Sequence, residues 1–170
     1  MSPLPTPLPD AEAQCRQLAE LIRPLLAERP ALVGIHSGGV WIAERLKDLL
    51  GLGEEMGHID VSFYRDDYAA KGLHPQVRPT VIPFEVEGRH LILVDDVLYT
   101  GRTTRAAINE LFDYGRPAKI ELAVLADRGG RELPIAAQYC VWTTEPLVAA
   151  DNLVLTRDPD NRLVWSLEHA

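Results

Sequence analysis

The chain reads as an α/β protein, a central and mostly parallel sheet with helices on both faces. Three features predict this. Short apolar runs, ALVGI (31–35), RHLILV (89–94) and KIELAVLA (119–126), have the composition of buried strands. Amphipathic helical patterns lie between them, so strand and helix alternate as in βαβ units. Polar, glycine-rich segments follow each run, at the carboxyl ends where such sheets bind ligands.

In chain order, "MSPLPTPLP" (1–9) is an extended, proline-rich lead-in. Asp10 is the expected N-cap of a helix whose apolar face carries Leu18, Leu21, Ile22, Leu25 and Leu26, and Pro24 is expected to kink or end it. After the strand at 31–35, HSGG (36–39) reads as a turn and VWIAERLKDLLG as a helix closing at Gly51. HIDVSFYR (58–65) alternates like a strand, with Ile59, Val61 and Phe63 on one face. Residues 66–79 are polar and aperiodic, with Gly72, Pro75 and Pro79, and predict a long loop of the kind that closes over binding sites. TVIPFEVEG (80–88) predicts a weak edge strand and a turn. The strand at 89–94 leads through an acidic loop to a helix carrying Ala106, Ala107, Ile108, Leu111 and Phe112, which ends near Gly115. Strands follow at 119–126 and 136–144, and NLVLT–RDPDN–RLVWSL predicts a C-terminal hairpin.

With 170 residues and 18.9 kDa, the chain is expected to form one domain over 1–170. It has no apolar stretch approaching the ~20 residues of a membrane span, and its N-terminus does not have the pattern of a signal peptide. Two cysteines, Cys15 and Cys140, without metal-type spacing, fit free thiols in a reducing cytoplasm. A net charge of -8 gives no global attraction to nucleic acid, so RNA binding would need a local basic patch.

The most informative stretch is LILVDDVLYTGRTTRAA (91–107). A glycine loop opening a helix offers unpaired backbone N–H groups and the positive end of the helix dipole, which suit a phosphate. Thr100, Thr103 and Thr104 add hydroxyl donors, and Gly101 allows close approach. Asp95 and Asp96 would repel that phosphate unless they hold another part of the same ligand, such as two sugar hydroxyls or a Mg²⁺ carrying diphosphate. The ligand implied is a phosphorylated ribose. The Gly-Lys-Ser/Thr ending of a Walker loop is missing. The bland alternative, two acids that end a strand and cap a helix, leaves the Thr-Gly-X-Thr loop unexplained.

VDDVLYTGRTTR resembles the phosphoribosyl diphosphate (PRPP) motif of type I phosphoribosyltransferases, and more narrowly that of the PyrR family of pyrimidine operon regulators. LVGIHSGGVWIAERL, HIDVSFYRDD and DYGRPAKIELAVLADRGGRELPI fall in that family's order. The resemblance implies a mobile flap over 65–78 and uracil phosphoribosyltransferase activity, dependent on Mg²⁺ carried by PRPP and with no direct protein metal site. Val94, Asp95, Asp96, Val97, Leu98, Tyr99, Thr100, Gly101, Arg102, Thr103 and Thr104 would form the PRPP site, the two aspartates holding the ribose hydroxyls. His36, Ser37, Gly38 and Gly39 would form the diphosphate loop, Arg65 would contact diphosphate, and Asp127 and Arg128 would border the base and diphosphate. The family also implies binding of UMP or UTP, pyrimidine-operon leader RNA as a partner, and self-association.

The sequence departs from the family at three places. Ser37 and Gly38 stand where relatives carry Thr-Arg, Gly130 where they usually have His, and CVWTTEP where they have a Gly-Lys-Asn block. Without an arginine at position 38, one charge-assisted grip on diphosphate, worth ~1.5–3 kcal/mol, is missing. The remaining basic-patch candidates are Arg102, Arg105, Arg116, Lys119, Arg128 and Arg131, which by default are phosphate ligands or solvated charges. Two readings follow: a uracil phosphoribosyltransferase, or a weak or inactive nucleotide sensor that keeps the site and regulates through RNA or a protein. A purine-specific transferase is a third.

Overall fold

The computed structural model describes residues 4–62, 79–145, 147 and 151–169. Asp10 caps α1 (Ala11–Ile22), its carboxylate accepting the N–H groups of Glu12 at 2.9 Å and Ala13 at 3.3 Å. The helix ends before Pro24, which opens a 3₁₀ turn (Arg23–Glu28) where a missing N–H costs nothing. Then come β1 (Ala31–Ile35), α2 (Gly38–Leu50) closed by Gly51, β2 (Gly57–Ile59) and β3 (His90–Leu98). The chain continues through α3 (Arg102–Phe112), β4 (Lys119–Asp127), β5 (Tyr139–Thr143), and the antiparallel hairpin β6 (Asp151–Arg157) and β7 (Leu163–His169).

The main sheet runs β2-β1-β3-β4-β5 with every neighbouring pair parallel. Its central strands split their side chains between two cores. Leu32, Ile92, Val94, Ala123 and Leu125 pack with α1, α2 and the hairpin. Val33, Ile35, Leu91, Leu93, Leu122 and Val124 pack with Ala106, Ala107 and Leu111 of α3. Both faces are therefore covered, as the apolar runs require. Ile92, Leu93 and Val94 are 0% exposed, and burying each contributes ~1.5–3 kcal/mol. The hairpin is pinned to α1. The Trp165 indole donates to Gln14 Oε1 at 2.6 Å, and the Glu12 carboxylate accepts both Arg45 and the Leu163 N–H.

Four boundaries differ from the sequence reading. β3 does not stop at Val94, because its pairing with β4 continues through Val97↔Ala126 and Leu98↔Asp127. The aspartates are thus part of the strand, and the loop begins at Tyr99. α2 starts at Gly38, inside the expected turn. β2 covers only residues 57–59, the described part of the expected strand beyond it being irregular. Residues 80–88 form no strand but a single antiparallel bridge, Val81 to His58.

Candidate active site

The carboxyl ends of β1, β3 and β4 bring three loops together. On β3, Asp95 is buried and Asp96 half-buried. Asp95 Oδ1 accepts the Asp96 N–H at 2.9 Å and Asp96 Oδ1 accepts the Val97 N–H at 2.8 Å, which fixes both carboxylates against the backbone. β1 leads into His36 and Ser37, joined by a cis peptide, and then directly into α2. The His36 N–H donates to Ile59 O at 2.8 Å, and its ring meets His58 edge-on with Nε2 3.1 Å from Nδ1.

The two glycines that open α2 are what let this loop lie on β3. A Cβ at Gly39 would stand 3.0 Å from Asp95 Cα and the Val94 carbonyl carbon, both backbone atoms. A Cβ at Gly38 would stand 2.8 Å from Asp96 Cγ. The N-terminus of α2 therefore sits on the Asp95 backbone and beside the Asp96 carboxylate, and the Asp96 side chain fills the room that a side chain at position 38 would need.

The loop after β3 has Tyr99 at the surface and Gly101, in a left-handed conformation, as N-cap of α3. Thr100 and Thr104 are 3% exposed, and Thr100 Oγ1 accepts the Arg102 N–H at 3.2 Å. These two hydroxyls are therefore inside the loop. Its accessible donors are Thr103, half-buried, and the backbone of the first helical turn, which carries no acidic residue. The Arg102 guanidinium pairs at 3.0 Å with Glu132, both about half exposed.

Residues 127–133, after β4, pack against this loop. The Arg128 N–H donates to Leu98 O, and the Glu132 and Leu133 N–H groups donate to Thr100 O. Asp127 accepts the Gly129 N–H and pairs with Arg131 at 2.6 Å. Arg131 also donates to Tyr99 O at 2.6 Å. Arg128 is 5% exposed, with its guanidinium carbon 4.2 Å from the Tyr99 ring centre. Gly130 has φ +78°, and a Cβ there would lie 2.9 Å from Tyr99 Cδ2. A histidine at this position would need both another backbone conformation and another placement of Tyr99.

The structure thus gathers His36, Ser37, Gly38, Gly39, Asp95, Asp96, the 99–104 loop, Asp127 and Arg128 at one end of the sheet. Arg65 and the expected flap over 65–78 lie outside the described residues. From the sequence, Arg131 is a basic-patch candidate that is by default a phosphate ligand or a solvated charge, with no tie to Tyr99 or Asp127. Its link to Tyr99 and Asp127 depends on β3 and β4 lying side by side, for which no local signal exists. Among the described residues no group of three or more acidic, histidine or cysteine side chains could cage a metal. Adjacent carboxylates at 95 and 96 fit instead a Mg²⁺ that arrives on substrate oxygens, since Mg²⁺ is commonly held by one or two carboxylates plus phosphates.

Residues 7–152 match the family model described as "Phosphoribosyl transferase domain". A bifunctional protein PyrR from Pseudomonas paraeruginosa is 52% identical over 161 residues, 92% of this chain and 89% of that protein. A bifunctional protein PyrR from Ralstonia nicotianae is 56% identical over 153 residues, 88% and 87% of the two chains. In fold, the chain is similar to the hypoxanthine phosphoribosyltransferase of Trypanosoma cruzi, with TM-score 0.63 and 22% identity over 91% of this chain and 90% of that one. Its doubly covered parallel sheet, the glycine-packed loop beside paired aspartates and these matches agree: the chain belongs to the phosphoribosyltransferase family, within the group of bifunctional PyrR proteins.

Proposed function

We propose that this protein transfers the phosphoribosyl group of PRPP to N1 of uracil, releasing UMP and diphosphate, and that it regulates pyrimidine genes in response to uridine nucleotides. The observation that carries the catalytic reading is the packing of the α2 N-terminus onto Asp95 and Asp96 through Gly38 and Gly39, at the end of the strand whose following loop, with Gly101 as N-cap, opens α3. A ligand with a phosphate, a vicinal diol and a diphosphate is matched by that set.

Asp95 and Asp96 hold the ribose 2- and 3-hydroxyls as acceptors. The first turn of α3 and Thr103 receive the 5-phosphate, and the 36–39 loop faces the diphosphate with the backbone N–H groups that follow His36, whose own N–H is held by Ile59 O. As N1 of uracil bonds to the anomeric carbon and gives up its proton to solvent or to the departing diphosphate, the C–O bond to diphosphate breaks. Its electron pair gathers as charge on the departing oxygens, which these donors face. Mg²⁺ would be carried by the PRPP oxygens, beside the carboxylates that hold its hydroxyls, and would neutralise part of that charge. The chain's own contribution is orientation and electrostatics, with Arg65 and the 65–78 flap assigned to diphosphate contact and to the exclusion of water.

One observation favours the second reading, a slow enzyme kept as a nucleotide sensor. The Asp96 carboxylate, not a guanidinium, occupies the space beside position 38. Of the basic candidates for RNA contact, Arg102 and Arg131 are paired with acids, Lys119 lies between Glu28 and Glu121, and Arg128 is buried. This supports a small-molecule site more than an extended RNA surface. No described helix is long and apolar enough to cross a membrane, and two free cysteines suit the cytoplasm we assign. Self-association remains part of the proposal, on the family resemblance.

The test is product formation from labelled uracil, hypoxanthine or guanine with PRPP and Mg²⁺. UMP formation in preference to the purine nucleotides is expected, and turnover of a purine base alone would overturn the assignment. Salt-sensitive binding of the pyrimidine leader RNA at micromolar protein, dependent on UMP, tests the regulatory half.

A further inference from the structure

Arg128 was expected to border the base and diphosphate, yet its side chain is committed elsewhere. The guanidinium stacks on the Tyr99 ring, Nη2 donates to Asp151 O at 2.9 Å, and Nη1 donates to Asn152 Oδ1 at 3.3 Å. Both acceptors are on β6, in the C-terminal hairpin. Nε is buried with no hydrogen-bond partner. Burying a cation to 5% exposure with one donor unsatisfied is costly, so two hydrogen bonds to the hairpin do not by themselves account for the placement. The contact that remains is the ring.

Tyr99 is the first residue of the phosphate loop and is 36% exposed. Three neighbours hold it: Arg128 on the ring face, Gly130 at the ring edge and Arg131 at the carbonyl. The next residue, Thr100, is buried and tied by its carbonyl to residues 132 and 133. The geometry points to Arg128 as a positioning residue that clamps Tyr99, and with it the phosphate loop, to the C-terminal hairpin. This role rests on reading 99–104 as the 5-phosphate loop. The clamp acts before and during reaction alike, since it sets where the loop stands and touches no reacting atom. Loosening it weakens phosphate binding in the ground and transition states together, which raises KM for PRPP and leaves kcat in place.

The experiment uses the full chain with Arg128→Ala, Arg128→Lys, Asn152→Ala, Tyr99→Leu and the Arg128→Ala/Tyr99→Leu double variant. It reads KM and kcat for PRPP, and ribose 5-phosphate affinity by calorimetry. Arg128→Ala and Tyr99→Leu are each expected to raise KM and weaken ribose 5-phosphate binding about tenfold, with kcat within about twofold. Asn152→Ala shifts both about threefold, and Arg128→Lys, which keeps the charge but loses the planar group, falls between Arg128→Ala and the parent. The double variant is no worse than the weaker single one, because both remove the same contact. Multiplying effects in the double variant, or unchanged KM and affinity in Asn152→Ala and Tyr99→Leu, would overturn the clamp even where Arg128→Ala fails to fold. Absence of ribose 5-phosphate and PRPP binding in the parent protein would overturn the loop reading and the clamp with it. Parental binding that the variants retain overturns the clamp alone.

Discussion

Strand β3 carries charge at both ends, and the two ends use it differently. At the amino end, His90 is buried between two acids. Its Nε2 is 2.7 Å from Glu121, and its Nδ1 is 2.9 Å from Glu28, close enough for an ion pair though not aligned as a hydrogen bond. Lys119 lies within 3.5 Å of both acids, Tyr139 donates to Glu121, and Arg89 is paired with Glu54. At the carboxyl end, Asp95 and Asp96 accept N–H groups of their own strand, and the N-terminus of α2 packs onto them through Gly38 and Gly39. The cavity of about 650 Å³ lined by Arg29, Glu54, Arg89 and His90 is at the amino end, away from the phosphate loop. Its ionic groups largely neutralise one another. Volume alone does not mark the site; paired strand-end acids under a helix N-terminus do.

The sharpest way to break this contrast is at Gly39. Gly39→Ala drives a Cβ into the β3 backbone, so α2 must lift from the strand. It is expected to cost about 2 kcal/mol in urea unfolding, within the ~1–3 kcal/mol of overpacked cores, and to lower turnover at least tenfold. Gly38→Ala meets only the Asp96 side chain, which must release the Val97 N–H to make room while the backbone stays in place. We expect about a tenfold rise in KM for PRPP, equivalent to ~1.4 kcal/mol, with the melting temperature nearly unchanged. Equal effects of the two substitutions would show that the α2–β3 contact is looser than described.

At the other end of the strand, Glu121→Gln is expected to cost ~1 kcal/mol of stability and leave KM and kcat for PRPP unchanged. The smallest effect is on pH dependence. Burial pushes the Glu121 carboxyl up, but hydrogen bonds from Tyr139, His90 and Lys119 outweigh it and hold the group below its usual 4.5. The Arg89 hydrogen bond holds Glu54 below the same value. A lowered carboxyl stabilises the fold above its ordinary value and loses that contribution as pH falls through the lowered one. The melting temperature should therefore decline only below about pH 4.5, and Glu121→Gln should soften the decline. A fall that begins near neutrality would contradict the pairing.

Much of the fold was legible because its central strands are apolar on both faces and its helix ends are marked by Asp10, Pro24 and Gly51. The end of β3 was not, because two acids look like a strand's end until a neighbouring strand pairs past them at Val97 and Leu98. The start of α2 was hidden for a similar reason. Glycines read locally as a turn, whereas here they are the price of packing a helix onto β3. Within the site, the loop string carried its own chemistry. Gly130 was visible as a departure, but its neighbour Tyr99 was not, and neither were the roles of Arg128 and Arg131. Those contacts join residues about thirty positions apart and exist only once β3 and β4 lie in register.

The most direct measurement compares the two ends in one assay, UMP formation from labelled uracil and PRPP with Mg²⁺, for the parent, the Asp95→Asn/Asp96→Asn variant and Glu121→Gln. A loss of about 100-fold or more is expected in the double aspartate variant, with its melting temperature near that of the parent, and full turnover in Glu121→Gln. Turnover that survives loss of both aspartates, or disappears with Glu121→Gln in folded protein, would contradict the placement of the site at the carboxyl end of the sheet.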